Sequence, residues 1–288
     1  MLKIDGVHKR FGELVAVDGL SLHVRAGECV GLLGPNGAGK TTTMSMAVGV
    51  LRPDSGSIVI GGEGSPADHA SRRHVGLAPQ SLALYDTMTA AENLVFFAEL
   101  YGVTDAKGRA GELLEMIGLS DRGGDRRGDR VGAFSGGMKR RLNLAAALVH
   151  DPPLVLLDEP TAGVDPQSRN AIFELVRTLR DNGKAIVYTT HYMEEAQRLC
   201  DRVEIVDRGR VLASGTVDEL IGAHGGESVL TLERASGVER RPVDDPVRAL
   251  AGVSLAPDGD DPVTGVRIDR PDLEAVFLNL TGRSLRDH

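Results

Sequence analysis

The sequence predicts an α/β fold built on a parallel sheet, and three observations carry that prediction. Short apolar runs recur, in the buried strand expected from Glu28 to Leu33, in "LVLLD" at 154–158 and in "AIVYTT" at 185–190, with no alternating polar face along their length. Strands apolar on both sides belong to parallel sheets covered on both faces. A helix is expected to open near Gly39 after the first run, and "DPQSRNAIFELVRTLRDNG" forms another after the second. Between the first run and its helix stands "GPNGAGKTT", in which Gly34 to Thr41 fits G-x-x-x-x-G-K-[ST]. Small residues there let consecutive backbone N–H groups face an anion at a positive helix end.

The remaining elements follow in chain order. "LKIDGV", "SLHV", the antiparallel strand "SIVIGG" (57–62) and the short buried strand "HVGLAP" (74–79) give a β-rich front. From about residue 80 to 148 helical patterns take over, "TAAENLVFFAELYG" and "GRAGELLEMIGL", and form a helical insert. Thr89 and Glu92 have capping-box spacing for the helix carrying Leu94, Phe97 and Ala98. The charged, Gly-rich "SDRGGDRRGDRVG" is expected to be a solvated loop. Asp165 is placed as N-cap, Pro166 as first helical residue and Gly183 as the stop of the helix after "LVLLDEP". "VEIVDRGRVLASG" is expected to be a hairpin turning at Arg208-Gly209, and "TVDELIG" a short helix. Beyond Gly222 the composition becomes linker-like. The expected domains are therefore 1–221 and a small α+β extension, 222–288, whose helix aligns Leu273, Val276, Phe277 and Leu280.

Composition bounds the function. A chain of 288 residues with 41% hydrophobic and 26% charged residues has room for a sizeable core and is not generally disordered. Its net charge of -8 counts against a chain held to nucleic acid by a broad basic surface. The two cysteines, Cys29 and Cys200, are too few and too far apart for a disulfide framework or a metal site, and are expected to be small buried apolar residues in a reducing cytoplasm. No run approaches the ~20 apolar residues that span a bilayer. Membrane work would then fall to a partner.

The chemistry gathers at strand ends. In the phosphate loop of Gly34, Pro35, Asn36, Gly37, Ala38, Gly39, Lys40, Thr41 and Thr42, Lys40 is expected to reach the β and γ phosphates and Thr41 to ligate Mg²⁺. Asp158, at the end of its strand, is placed to hold Mg²⁺ directly or through water, and Glu159 to act as general base on an attacking water. His191 tips "AIVYTT" and is a candidate for the γ-phosphate or for orienting that water. Gln80, at the junction with the helical insert, is a candidate for sensing Mg²⁺ or the water.

"GPNGAGKTT", Gln80, "SGGM", "LLDEP" and "TTH" stand in one order that resembles the nucleotide-binding subunit of ATP-binding cassette (ABC) transporters, over about residues 2–221. The resemblance implies a P-loop ABC ATPase fold with an antiparallel β subdomain and a helical signature subdomain, and it implies ATP and Mg²⁺ as cofactors. It implies that Ser135, Gly136 and Gly137 close on the γ-phosphate bound by a second copy, that Asp165 reaches over the same interface, and that Phe11 stacks on adenine. The signature departs from the family's usual pattern at Phe134 and Met138, where Leu and Gln are commoner. "PQSLALYDTMTAAENLVFFAELYG", "TTHYMEEAQRLCDRVEIVDRGRV" and "PDLEAVFLNLTGRSLRD" look like exporters of the drug-resistance type. In that group two copies of the ATPase pair with a separate multi-span permease on the inner face of the membrane. An importer subunit shares the same engine. A soluble ABC ATPase of nucleic acid or ribosomes would show paired cassettes or a basic face, and a P-loop kinase would leave "SGGM" and His191 unexplained.

Overall fold

The computed structural model describes residues 1–62, 64–120, 126–253 and 261–283. Part of the loop "SDRGGDRRGDRVG" and the end of "PDLEAVFLNLTGRSLRD" lie outside the described residues. In chain order the elements are β1 (Leu2–Phe11), β2 (Leu14–Val24), β3 (Cys29–Leu33), α1 (Lys40–Ala47), β4 (Ser55–Ile60), α2 (His69–Arg72), β5 (Val75–Ala78), α3 (Ala90–Leu100), α4 (Ala106–Met116) and α5 (Gly136–Ala147). There follow β6 (Leu154–Asp158), α6 (Pro166–Asp181), β7 (Ala185–Thr190), α7 (Met193–Leu199), β8 (Arg202–Asp207), β9 (Arg210–Gly215), α8 (Val217–His224), β10 (Ser228–Arg234), β11 (Gly237–Val243), α9 (Pro246–Ala251), β12 (Val263–Asp269) and α10 (Leu273–Thr281).

The expected parallel sheet is present. Its strand order is β5-β6-β7-β3-β8-β9, and β5 through β8 pair in parallel. Every residue of β3, β6 and β7 is buried, as their unbroken apolar runs require. A second, antiparallel sheet has the order β2-β1-β4. Ile4, Val7, Leu20 and Leu22 of that sheet join Val30 and Leu32 of β3, Leu156 of β6 and Met44 and Met46 of α1 in one core. Helix α1 is thus fixed by apolar burial, and the loop before it inherits that rigidity.

The insert carries α3, α4 and α5. Thr89 and Glu92 form the capping box: Glu92 N–H donates to Thr89 Oγ1 at 3.1 Å and Thr89 N–H to Glu92 Oε2 at 2.7 Å. Asp165 caps α6, with Pro166 at its first position. The β8–β9 turn is tight because Arg208 (φ 48°) and Gly209 (φ 79°) both take left-handed backbone, the geometry that suits two-residue hairpins. Cys29 and Cys200 are both buried. A Cβ at position 31 would lie 2.8 Å from Cys200 Sγ, so Gly31 leaves the room that this thiol fills. No helix among the described residues is long and apolar enough to cross a membrane.

The chain divides into compact units at Met1–Ser214 and Gly215–His288, seven residues ahead of the 221/222 boundary expected from composition. Helix α8 goes with the second unit because it packs against α10, where Asn279 Nδ2 donates to the His224 carbonyl at 2.8 Å. A linker-like composition marks where polarity rises, not where packing changes hands. The second unit is an antiparallel sheet of order β11-β10-β12 with α8, α9 and α10. Leu273, Val276 and Phe277 are buried as expected, and Leu280 is half-buried.

Candidate active site

The phosphate loop is shaped by glycines that have no room for a side chain. A Cβ on Gly34 would lie 2.1 Å from the Val206 carbonyl oxygen, and one on Gly39 (φ 98°) 2.4 Å from that of Ala16. Gly39 is also the N-cap of α1, and no side chain takes the first N–H groups of that helix. Those donors and the positive helix end define an anion cradle. Lys40 is 4% exposed, with its ammonium donating to the carbonyls of Gly34 (2.8 Å) and Pro35 (3.0 Å) and lying 3.2 Å from Glu159 Oε1. Burial lowers the Lys40 pKa from its usual value, and the Glu159 carboxylate opposes that shift. Beside the loop is an open depression of about 420 Å³, lined among others by Phe11, Asn36, Gly37, Thr41, Thr42 and Gln80. Phe11 is 47% exposed there, which puts its ring at the rim and not in the core.

The strand-end acids converge on the same place. Asp158 is buried, and Thr189 Oγ1 donates to its Oδ1 at 2.6 Å. Glu159 takes left-handed backbone (φ 45°), rare for a residue with a Cβ, and its N–H donates to Thr189 Oγ1 at 2.9 Å. The turn swings its carboxylate into contact with three groups. Oε1 faces Lys40 Nζ and His191 Nδ1, each at 3.2 Å, and Oε2 accepts from Gln80 Nε2 at 3.2 Å. His191 Nδ1 is buried and has no aligned hydrogen-bond partner among the described residues. Lys40, Gln80, Glu159 and His191, placed by sequence on four separate segments, therefore meet at one carboxylate.

Thr41 Oγ1, the Gln80 amide oxygen and Asp158 are oxygen donors of the kind Mg²⁺ prefers. No cluster of His, Cys, Asp and Glu able to hold a metal by itself occurs among the described residues. One carboxylate fits a cation whose other ligands are phosphates and water.

Ser135, Gly136 and Gly137 do not line this depression. They open α5, where Ser135 Oγ accepts from Met138 N–H at 3.3 Å. Ser135 and Gly136 are exposed, whereas a Cβ on the buried Gly137 would lie 2.0 Å from Ser168 Oγ. Phe134 is buried and Met138 half-buried. Both Asp165 oxygens are engaged, by Ser168 N–H (2.9 Å) and Ser168 Oγ (2.7 Å), which hold its pKa below the usual carboxylate value. Sequence reasoning missed Arg140. Its guanidinium donates to the Gln80 and Ala162 carbonyls, tying α5 to two loops of the site.

A family model described as ABC transporter matches residues 17–162, just over half of the chain. The linearmycin resistance ATP-binding protein LnrL of Bacillus subtilis is 42% identical over the whole of both chains. The chain belongs to the ABC transporter family. The Nod factor export ATP-binding protein I of Burkholderia pseudomallei is 44% identical, with 98% of this chain and 97% of that protein aligned. Among solved structures, an ATP-binding subunit of an ABC transporter superposes with TM-score 0.70 and 32% identity, covering 78% of this chain and 93% of that one. A dimeric ATP-binding cassette in a post-hydrolysis state, bound to ADP and phosphate, gives TM-score 0.67 and 27% identity over 75% of this chain and 98% of its own. This ABC cassette thus has the fold of an ATP-binding and ATP-hydrolysing subunit.

Proposed function

We propose that the chain is the ATPase subunit of a two-component exporter, and that each catalytic site is shared by two copies. The Glu159 carboxylate, touching Lys40, His191 and Gln80 at once, carries the reading of the site. The loop N–H groups and Lys40 bind the β and γ phosphates of ATP, and Phe11 stacks on adenine. Thr41, Gln80 and Asp158 hold Mg²⁺, which when bound neutralises phosphate charge. Phosphate oxygens compete with Glu159 for Lys40, and a carboxylate relieved of that pair can accept a proton. The water oxygen then bonds to the γ-phosphorus, its proton passes to Glu159, and the bond to the ADP oxygen breaks. His191 holds the water and Glu159 in line. Ser135, Gly136, Gly137 and Asp165 of a second copy complete the charge stabilisation, so the work is mostly positioning.

Export is supported by relatives named for linearmycin resistance and Nod factor export. The cargo class is a drug, lipid or natural product, bound by a separate multi-span permease that holds this subunit on the inner membrane face. Glu159→Gln tests the shared site: turnover should fall more than about 100-fold, with an ATP-bound dimer accumulating in light scattering. A variant that stays monomeric with ATP and Mg²⁺ removes the two-chain site. Purification from membranes should bring down a multi-span protein; a tight complex with DNA or ribosomes overturns the transport reading.

A further inference from the structure

Glu195 on α7 is 1% exposed and lies outside the groups that touch the phosphate loop. Its Oε1 accepts from Thr161 Oγ1 at 2.6 Å, and its Oε2 from Tyr188 OH at 3.0 Å and Thr190 Oγ1 at 2.8 Å. Arg169 Nε, from α6, stands 3.7 Å from Oε1. A buried charge is costly unless it is paired and hydrogen-bonded, and this one is surrounded by donors. Burial beside Glu195 pushes the Tyr188 phenol well above its usual pKa, so that hydroxyl keeps its proton and donates.

The partners decide what the carboxylate is for. Thr161 is two residues past Glu159, and Thr190 immediately precedes His191. Thr190 Oγ1 also accepts from Tyr192 N–H at 2.9 Å, so the chain is held on both sides of His191. A second path runs through rings: Arg169 lies over Tyr192 at 5.4 Å, and the Tyr192 ring is 4.1 Å from that of His191. Arg169 belongs to the helix that Asp165 caps.

We propose that Glu195 is a positioning residue that sets His191 against Glu159 and ties both to the helix led by Asp165. It touches neither phosphate nor water. A plain structural plug would need only an apolar side chain of similar volume; an acceptor of three hydroxyls facing an arginine fixes direction as well as space. The proposal rests on the ATPase reading of the site.

The test uses the full chain with Mg-ATP. Thr190→Val keeps shape and removes the hydroxyl that links Glu195 to the His191 segment. It should lower kcat about 5- to 10-fold while ATP affinity, read with a fluorescent ATP analogue, stays within about 2-fold. In a His191→Ala background the same change should cost less than about 2-fold, because the two act as one unit. Glu195→Gln, which keeps one acceptor oxygen, should also lower kcat at unchanged affinity; if it fails to fold, Thr161→Val supplies the second hydroxyl deletion. Unchanged kcat in Thr190→Val, or losses that multiply fully with His191→Ala, overturn the positioning role and leave the ATPase reading standing. Wild-type turnover in His191→Ala takes down both.

Discussion

Helices α1 and α5 both begin after small residues, yet their first turns are finished differently. At α1 the cap is a left-handed glycine with no side-chain bond, so the first N–H groups remain available, and a buried lysine stands among them. At α5 the Ser135 hydroxyl takes the Met138 N–H, and the nearby cations are spent within the chain. Lys139 pairs with Asp86, Arg140 binds two carbonyls, and Arg141 donates to the Ile117 carbonyl. The first end offers an anion both charge and donors; the second offers neutral donors on an exposed surface. In the proposed two-copy site, such a difference suits a strong end that binds ATP first and a weak half-site that adds affinity only once ATP is in place.

Three measurements probe that contrast. Lys40→Ala strips the strong end of its cation and should abolish detectable turnover, with ATP affinity down more than about 30-fold by calorimetry. Gly137→Ala forces a methyl group against Ser168 and should displace the start of α5. Turnover should drop more than about 10-fold with ATP-induced dimerisation lost, while ATP affinity of the single chain stays within about 2-fold. Equal loss of ATP affinity in both variants would erase the distinction. Met138→Gln restores the commoner side chain and should change turnover by less than about 3-fold, because in the proposed two-copy site the donors are backbone groups and Ser135.

The smallest effect lies away from both ends. His150 stacks on Tyr101 with ring centroids 3.8 Å apart, and burial holds its pKa below the ordinary 6.5. The unfolded chain binds this proton more readily than the folded one, so stability is lost as pH falls below about 6.5. Melting temperature should decline less for His150→Gln than for the wild type between pH 7 and pH 5.5.

Much of this was legible in the sequence because single segments carry it. The apolar runs announce a parallel sheet, and the glycine spacing announces the phosphate loop. Thr89 with Glu92 and Asp165 with Pro166 mark helix starts whose bonds are local. Contacts made across the chain were not legible. Nothing near Glu195 in sequence says that it meets Thr161 and Tyr188, and nothing near Arg140 names the Gln80 carbonyl. One signal was available: strand alternation sends Thr189 and Thr190 to opposite faces, one to Asp158 and the next to Glu195. The first compact unit ends at Ser214, seven residues before the expected 221, and the packing of α8 on α10 was not legible in composition.

The β8–β9 turn is bonded to the phosphate loop and to the β2 segment that crowds Gly39. Gly209 N–H donates to the Ala38 carbonyl at 3.0 Å, Asp18 N–H donates to the Gly209 carbonyl at 2.9 Å, and a Cβ on Gly209 would lie 2.8 Å from the Ala16 oxygen. In a mutational scan scored by ATP turnover, Gly209 should therefore be as intolerant as Gly34 and Gly39. A surface hairpin far along the chain would carry the genetic signature of a nucleotide-binding residue without ever meeting the nucleotide.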